Sequence, residues 1–161
     1  MPERLGLGLI QIDPQRGAGW RAGEIKDVAR AAEDAGFEAA FCAEVKNDAI
    51  ASATLMGLAT SRLKVGRWVA HIYLRLPYLC AKAAALAADA TGGCFILGLG
   101  VSHQPVNRAL GLDMPNPSTA LRKYATEVAD CCAATVRRRI CRSSLPRFRC
   151  RSMSTTTPSA C

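Results

Sequence analysis

The sequence predicts an α/β chain: four βα units whose strands form one parallel sheet under a cover of helices. Three observations carry this. Short apolar runs alternate with stretches of three- and four-residue apolar spacing, four times in strict order. The runs are apolar nearly throughout, which marks strands buried on both faces. The cycle repeats at about 30 residues, the length of a βαβ unit.

Residues 5–12, Leu-Gly-Leu-Gly-Leu-Ile-Gln-Ile, read as the first strand, and Asp13-Pro14 with Gly17, Gly19 and Gly23 turn it into a loop. From Glu24 the period is helical. Ile25, Val28, Ala29, Ala32 and Ala35 share one face, charged residues fill the other, and Gly36 supplies the stop. Ala39–Glu44 is a second strand ending in a carboxylate, followed by a helix over Asp48–Thr60 with Asn47 or Asp48 as its cap. Leu63–Tyr73, rich in Val, Ile and aromatics, is the third strand, and Pro77 suits the first turn of a helix reaching Ala90. Phe95–Val101 is the fourth strand, and Pro117–Asp130 opens a fourth helix through Ser118 and Thr119. Such units fit either an open doubly wound sheet or a (β/α)8 barrel. A barrel needs about 250 residues, so four units make half of one, with strands in consecutive order.

Charge and cysteine divide the 161 residues at Asp130. Through Asp130 there are 14 basic and 13 acidic residues; beyond it there are 7 and none, so the net charge of +8 belongs almost wholly to the tail. Cys42, Cys80 and Cys94 lie in the body, whereas Cys131, Cys132, Cys141, Cys150 and Cys161 crowd the end. No apolar run approaches the roughly 20 residues of a membrane helix. Met1–Gly8 lacks the apolar core of a secretory signal. The expected setting is therefore a reducing cytoplasm, with the body thiols acting as small buried apolar groups.

Four motifs in order carry a resemblance. Glu44 is followed by Asn47-Asp48; then come Thr60-Ser61-Arg62-Leu63-Lys64-Val65-Gly66, Arg75-Leu76-Pro77, and Gly92-Gly93-Cys94-Phe95-Ile96-Leu97-Gly98-Leu99-Gly100. Together they resemble the first half of the luciferase-like monooxygenase superfamily, over about residues 5–130. The continuation Val101-Ser102-His103-Gln104-Pro105 and the later Leu121-Arg122-Lys123-Tyr124 look most like its coenzyme F420-linked subgroup. Cys94 stands where the family usually has Arg. The resemblance implies a (β/α)8 TIM barrel with coenzyme F420, or alternatively FMN, across the C-terminal ends of the strands. The implied function is an oxidoreductase moving hydride between F420 or reduced flavin and a small organic substrate, with an FMN-dependent monooxygenase of the same fold as the alternative.

The resemblance stops after Asp130. Residues 131–161 show neither strand nor helix periodicity, and they combine Arg, Cys, Ser and Thr as no barrel segment does. With GC-rich codons, one base inserted in the Cys131 codon turns this stretch into a helix end, a Gly stop, a polar loop and a Val-rich strand. The tail is therefore read as out of frame, and as irregular or weakly helical with few apolar contacts to the body. The body is then a half barrel with two open strand edges and an uncovered apolar inner face, through which copies would associate and which would be too incomplete for turnover. The tail cysteines contain no C-x-x-C pair and no nearby His, so no metal site is expected. The arginines would meet nucleic acid through charge alone, without specificity.

The chemistry-bearing candidates fall at the ends of the predicted strands. Glu44 either lines the cofactor pocket, as the resemblance implies, or favours the first turn of the second helix by its charge. The resemblance also implies a bulge in the third strand, with a non-prolyl cis peptide at Trp68–Val69, so that Trp68, Val69 and Ala70 back the ring. Otherwise Trp68 is a core aromatic and the following His71 a partly exposed loop residue. Gly98 and Gly100, with Val101 and Ser102, would offer backbone N–H groups and a hydroxyl to the cofactor, or serve only a tight strand-to-loop turn. Glu44, His71 and His103 are the candidate acids and bases. Arg75 would meet a phosphate or an inward carboxylate, or form a structural salt bridge.

Overall fold

The strands stand side by side in the order in which the chain makes them. A computed structural model describes residues 5–112, 114 and 116–139, with side chains through residue 133. β1 (Gly6–Leu9) pairs in parallel with β2 (Ala39–Cys42). The third predicted strand is two, β3 (Lys64–Arg67) and β4 (Ala70–His71), parted at Trp68–Val69; the fourth is likewise β5 (Phe95–Ile96) and β6 (Leu99–Gly100). The main sheet runs β1-β2-β3-β5, and β4 and β6 make a separate parallel ribbon. This consecutive order is the barrel's and excludes the strand reversal of a doubly wound sheet.

The helices follow α1 (Ala22–Asp34), α2 (Ala49–Ala59), α3 (Pro77–Ala90), α4 (Gln104–Ala109) and α5 (Pro117–Arg139). Three of them begin for a plain local reason. The Asp48 carboxylate accepts from the Ala51 amide at 2.9 Å and caps α2, and Pro77 occupies the first turn of α3. The Asn116 side-chain oxygen accepts from the Ser118 and Thr119 amides, so the cap of α5 is Asn116 rather than the hydroxyl residues after it. At the other end of α1, the Glu33 carboxylate accepts from the Ser61, Arg62 and Leu63 amides at 2.7–3.2 Å and fixes the turn into β3.

Four expectations need correction. The first strand stops at Leu9 instead of Ile12, because the chain leaves the sheet for a loop closed by an Asp13–Ala18 bridge. The third strand ends in a 3-10 turn over Ile72–Leu74. The short α4 was not predicted. Of the two alternatives for residues 131–139 the helical one holds and the irregular one does not: the alanines and arginines favour a helix already capped at Asn116, and Cys132 joins Tyr124 and Val128 on the buried side against α3. The remaining tail reading, 140–161, lies outside the described residues.

The two sheet faces differ. Ala40, Cys42, Val65 and Phe95 pack under Ile25, Ala29, Ala53, Met56, Ala81 and Ala84. The alanines let helix backbones approach the sheet, and each larger side chain here contributes about 1.5–3 kcal/mol by burial. The opposite face carries the paired row Gly8, Phe41, Gly66 and Ile96, with the Trp68 ring against Gly8. That face is open: Trp68 is 67% and Ile96 40% exposed. In a closed barrel it is the interior.

Candidate functional site

Two loops from neighbouring units meet at the C-terminal end of the sheet. Between β3 and β4 the chain bulges at Trp68 and Val69, with the bond between them cis. Trp68 donates its amide to Cys42 O at 2.7 Å, and Ala70 donates to Gly98 O at 2.6 Å. The ladder then pairs Ala70 with Leu99 and His71 with Gly100. A Cβ on Gly98 would overlap the carbonyl oxygen of Arg67, and one on Gly100 would come 2.5 Å from Val69 Cγ2. Gly98 is thus required by close backbone approach to the bulge, and Gly100 by the Val69 side chain packed against it.

The structure brings Glu44, Trp68, Val69, Ala70, His71, Gly98, Gly100, Val101 and Ser102 to this one end of the sheet. Trp68 is an exposed aromatic rather than a core one, because it projects over Gly8 on the open face. His71 is buried at 5% exposure rather than a loop residue. Its ring meets Tyr73 edge-on at 5.9 Å, and neither ring nitrogen has a partner. Ser102 adopts a φ of 60°, a left-handed conformation that side-chain-bearing residues rarely take and that concentrates at functional loops. His103 is exposed, just before α4.

Glu44 is bonded through both its carboxylate oxygens. It turns to the helix-covered side, where Arg67 is wholly buried in the row of Cys42. Glu44 Oε2 accepts from Arg67 Nη2 at 2.5 Å and from the His71 amide at 3.0 Å; Oε1 accepts from Arg75 Nη2 at 2.6 Å. Arg75 also pairs with Asp48. Burial draws the Arg67 guanidinium below its ordinary value, with Glu44 opposing. Burial acts likewise on Arg75, but its bonds to Asp48 and Glu44 outweigh that and hold it above the usual arginine value. Asp48 sits below the carboxylate range because the Ala51 amide and Arg75 overcome its desolvation. Arg75 is therefore bound to carboxylates of its own chain.

Sequence reasoning missed Arg67, Asn107 and Gln11. Asn107, 1% exposed, donates to Val101 O at 2.8 Å and braces the loop after β6. Gln11 is fully buried just past β1, and both its amide atoms lack partners. For Arg67 and Gln11, a charge or amide inside an apolar run was the available signal. Asn47, offered as an alternative cap, instead clasps the backbone of Trp20 through both its side-chain atoms, at 2.9 and 3.0 Å. Among the described residues no cluster of three His, Cys, Asp or Glu is placed to hold a metal, and no helix is long and apolar enough to cross a membrane.

Parallel βα units in consecutive order, with a bulged third strand laid against a Gly-x-Gly strand, define a luciferase-type barrel segment. The chain belongs to the luciferase-like monooxygenase family, which its residues 6–134 match. A Mycobacterium tuberculosis protein whose assigned name is coenzyme F420-dependent oxidoreductase Rv3520c is 39% identical over 100 residues, 61% of this chain and 29% of that protein. The coenzyme F420-dependent tetrahydromethanopterin reductase of Methanopyrus kandleri shares the fold, with a TM-score of 0.64 and 24% identity over 75% of this chain and 38% of that one. So does the oxygenating constituent of 3,6-diketocamphane monooxygenase from Pseudomonas putida, solved with FMN, with a TM-score of 0.63 and 16% identity over 78% and 38%. The chain spans well under half the length of each of these relatives.

Proposed function

We propose that this chain carries one wall of a cofactor site in an F420-dependent oxidoreductase, a wall that receives the ring of a deazaflavin. The observation that carries the reading is the bulge. Trp68, Val69 and Ala70 stand at the C-terminal end of the sheet, beside an open apolar face where Phe41 and Ile96 close over Gly66 and the Trp68 ring lies over Gly8. A planar ring fits such a surface. The 39% identical relative favours F420 over FMN.

When bound, the deazaflavin supplies hydride transfer to or from a small organic substrate. The chain's own part is to orient and to exclude water. The bulge would back the ring, while the backbone of Gly98, Gly100 and Val101 and the Ser102 hydroxyl would meet its polar edge. His71, with both ring nitrogens free of partners, has hydrogen-bonding capacity for the ring or substrate, and His103 is the second candidate at the mouth.

Titration of the purified chain with F420, and separately with FMN, tests this through tryptophan fluorescence corrected for ligand absorption. Saturable quenching, tighter for F420 and largely lost in Trp68→Phe while Trp20 still emits, is the expected result. Quenching that survives Trp68→Phe unchanged, or none with either compound, overturns the reading. Tighter binding of FMN would move the assignment to the flavin monooxygenases of the same fold.

A further inference from the structure

The bulge interrupts the third strand between Arg67 and His71, and both of its flanks end on one atom. Glu44 Oε2 accepts from the Arg67 side chain at 2.5 Å and from the His71 amide at 3.0 Å. The other carboxylate oxygen holds Arg75, which reaches on to Asp48, the cap of α2. The carboxylate is thus braced from a helix start and reaches across to both ends of the loop that has left the sheet.

We propose that Glu44 is a positioning residue: a clamp whose Oε2 sets the geometry of Trp68-Val69-Ala70 by holding residues 67 and 71 at once. It is not a proton donor to the site. Every group directed at it is a donor, so it serves only as an acceptor, and it lies on the helix side of the sheet, away from the open face. This deepens the reading of the bulge as the ring's support and rests on that reading for what the bulge holds. The clamp itself is a property of the free chain. Cys42 O and Gly98 O fix the amides of Trp68 and Ala70, but among the described bonds only the Glu44 carboxylate joins the two flanks to each other.

The test is amide hydrogen exchange on the full 161-residue chain, comparing His71 with Val65, whose amide donates to Cys94 O within the main sheet. Glu44→Asp keeps the charge but withdraws the carboxylate by one methylene. It should speed His71 exchange at least about tenfold, the loss expected for a bond to a charged acceptor, and leave Val65 within about twofold. Glu44→Gln keeps an acceptor at the same reach and should restore His71 to within about threefold of the parent. Unchanged His71 exchange in Glu44→Asp overturns the proposal, as does unprotected His71 in Glu44→Gln. Parallel acceleration of His71 and Val65, or global unfolding of Glu44→Asp, also overturns it, because the carboxylate would then support the whole fold and not the bulge. F420 titration of the same variants is read separately. Affinity falling with His71 protection supports the positioning role, and affinity indifferent to a loosened bulge refutes it. If F420 binds neither parent nor variant, the cofactor reading fails while the exchange result still decides the clamp.

Discussion

Removing Glu44 and removing Arg67 should have very different consequences, although the two residues form one ion pair. In Glu44→Ala the Arg67 guanidinium keeps its charge, with a side chain 0% exposed, and loses its hydrogen-bonded anion; its Nε and Nη1 already lack partners. Breaking a buried pair from that side costs about 3–5 kcal/mol, since the charge left behind is uncompensated. Arg67→Met removes the charge and leaves a shorter, flexible apolar side chain in the same buried row as Cys42. Glu44 is then still 13% exposed and bonded to Arg75 and the His71 amide, so the cost is about 0–2 kcal/mol. A domain of this size holds only about 5–15 kcal/mol in total, so the first change takes a large share and the second a small one. The double variant should be more stable than Glu44→Ala alone, because it removes the orphaned charge. Urea unfolding followed by far-ultraviolet circular dichroism measures all three. If the double variant is as unstable as the two single losses added together, the burial argument for Arg67 is wrong.

Gly98→Ala should cost about 1–3 kcal/mol, since its Cβ meets the Arg67 carbonyl and the β4–β6 ladder must shift; Gly93→Ala, at a φ of +87° with open space around it, should show only conformational strain of about 1–2 kcal/mol. Thermal unfolding of the two variants separates close approach from φ alone. The Glu33 carboxylate is held below its ordinary value chiefly by the Arg62 amide, joined by those of Leu63 and Ser61. Its contribution is therefore complete above the free-carboxylate value of about 4.3 and is lost as pH falls through the lower folded-state value. The stability gap between the parent and Glu33→Gln should shrink over that acidic window, and a gap that widens there contradicts the sign. Burial pushes the Cys42 thiol up to about 12, with its sulfur 3.1 Å from Met56 Sδ, so alkylation near neutral pH should leave Cys42 untouched until the chain unfolds. Peptide mapping after labelling in native buffer and in urea reads this out.

Much of the chain announces itself locally. The polar and apolar faces of α1, Pro77 at the start of α3, and Asp48 at the cap of α2 are short-range matters of period, proline geometry and side-chain reach. The alternation of such helices with nearly apolar runs marked a parallel sheet, and the choice of a barrel over a doubly wound order came with the resemblance. The clustering of the bulge with the Gly-x-Gly strand was legible only through resemblance, since no periodicity in Leu63–Tyr73 or Phe95–Val101 marks where pairing breaks.

The sequence by itself determined the class of fold, the order of its units and the stretches where a site would lie, because each of these depends on neighbours within a few residues. Only the tertiary structure decided where Glu44 points, that Arg67 is buried without a gap to solvent, that Trp68 projects over Gly8, and that α5 continues past Asp130. Those outcomes depend on which residues from distant units arrive together. A carboxylate just past the end of one strand becomes a clamp because an arginine 23 residues further on stands beside Cys42 in the next strand. A strand shortens because its own chain leaves the sheet for a loop closed by a bridge, and a glycine becomes obligatory because another backbone passes within contact of it. Such meetings are fixed by packing in three dimensions, where a residue's own propensity has little say.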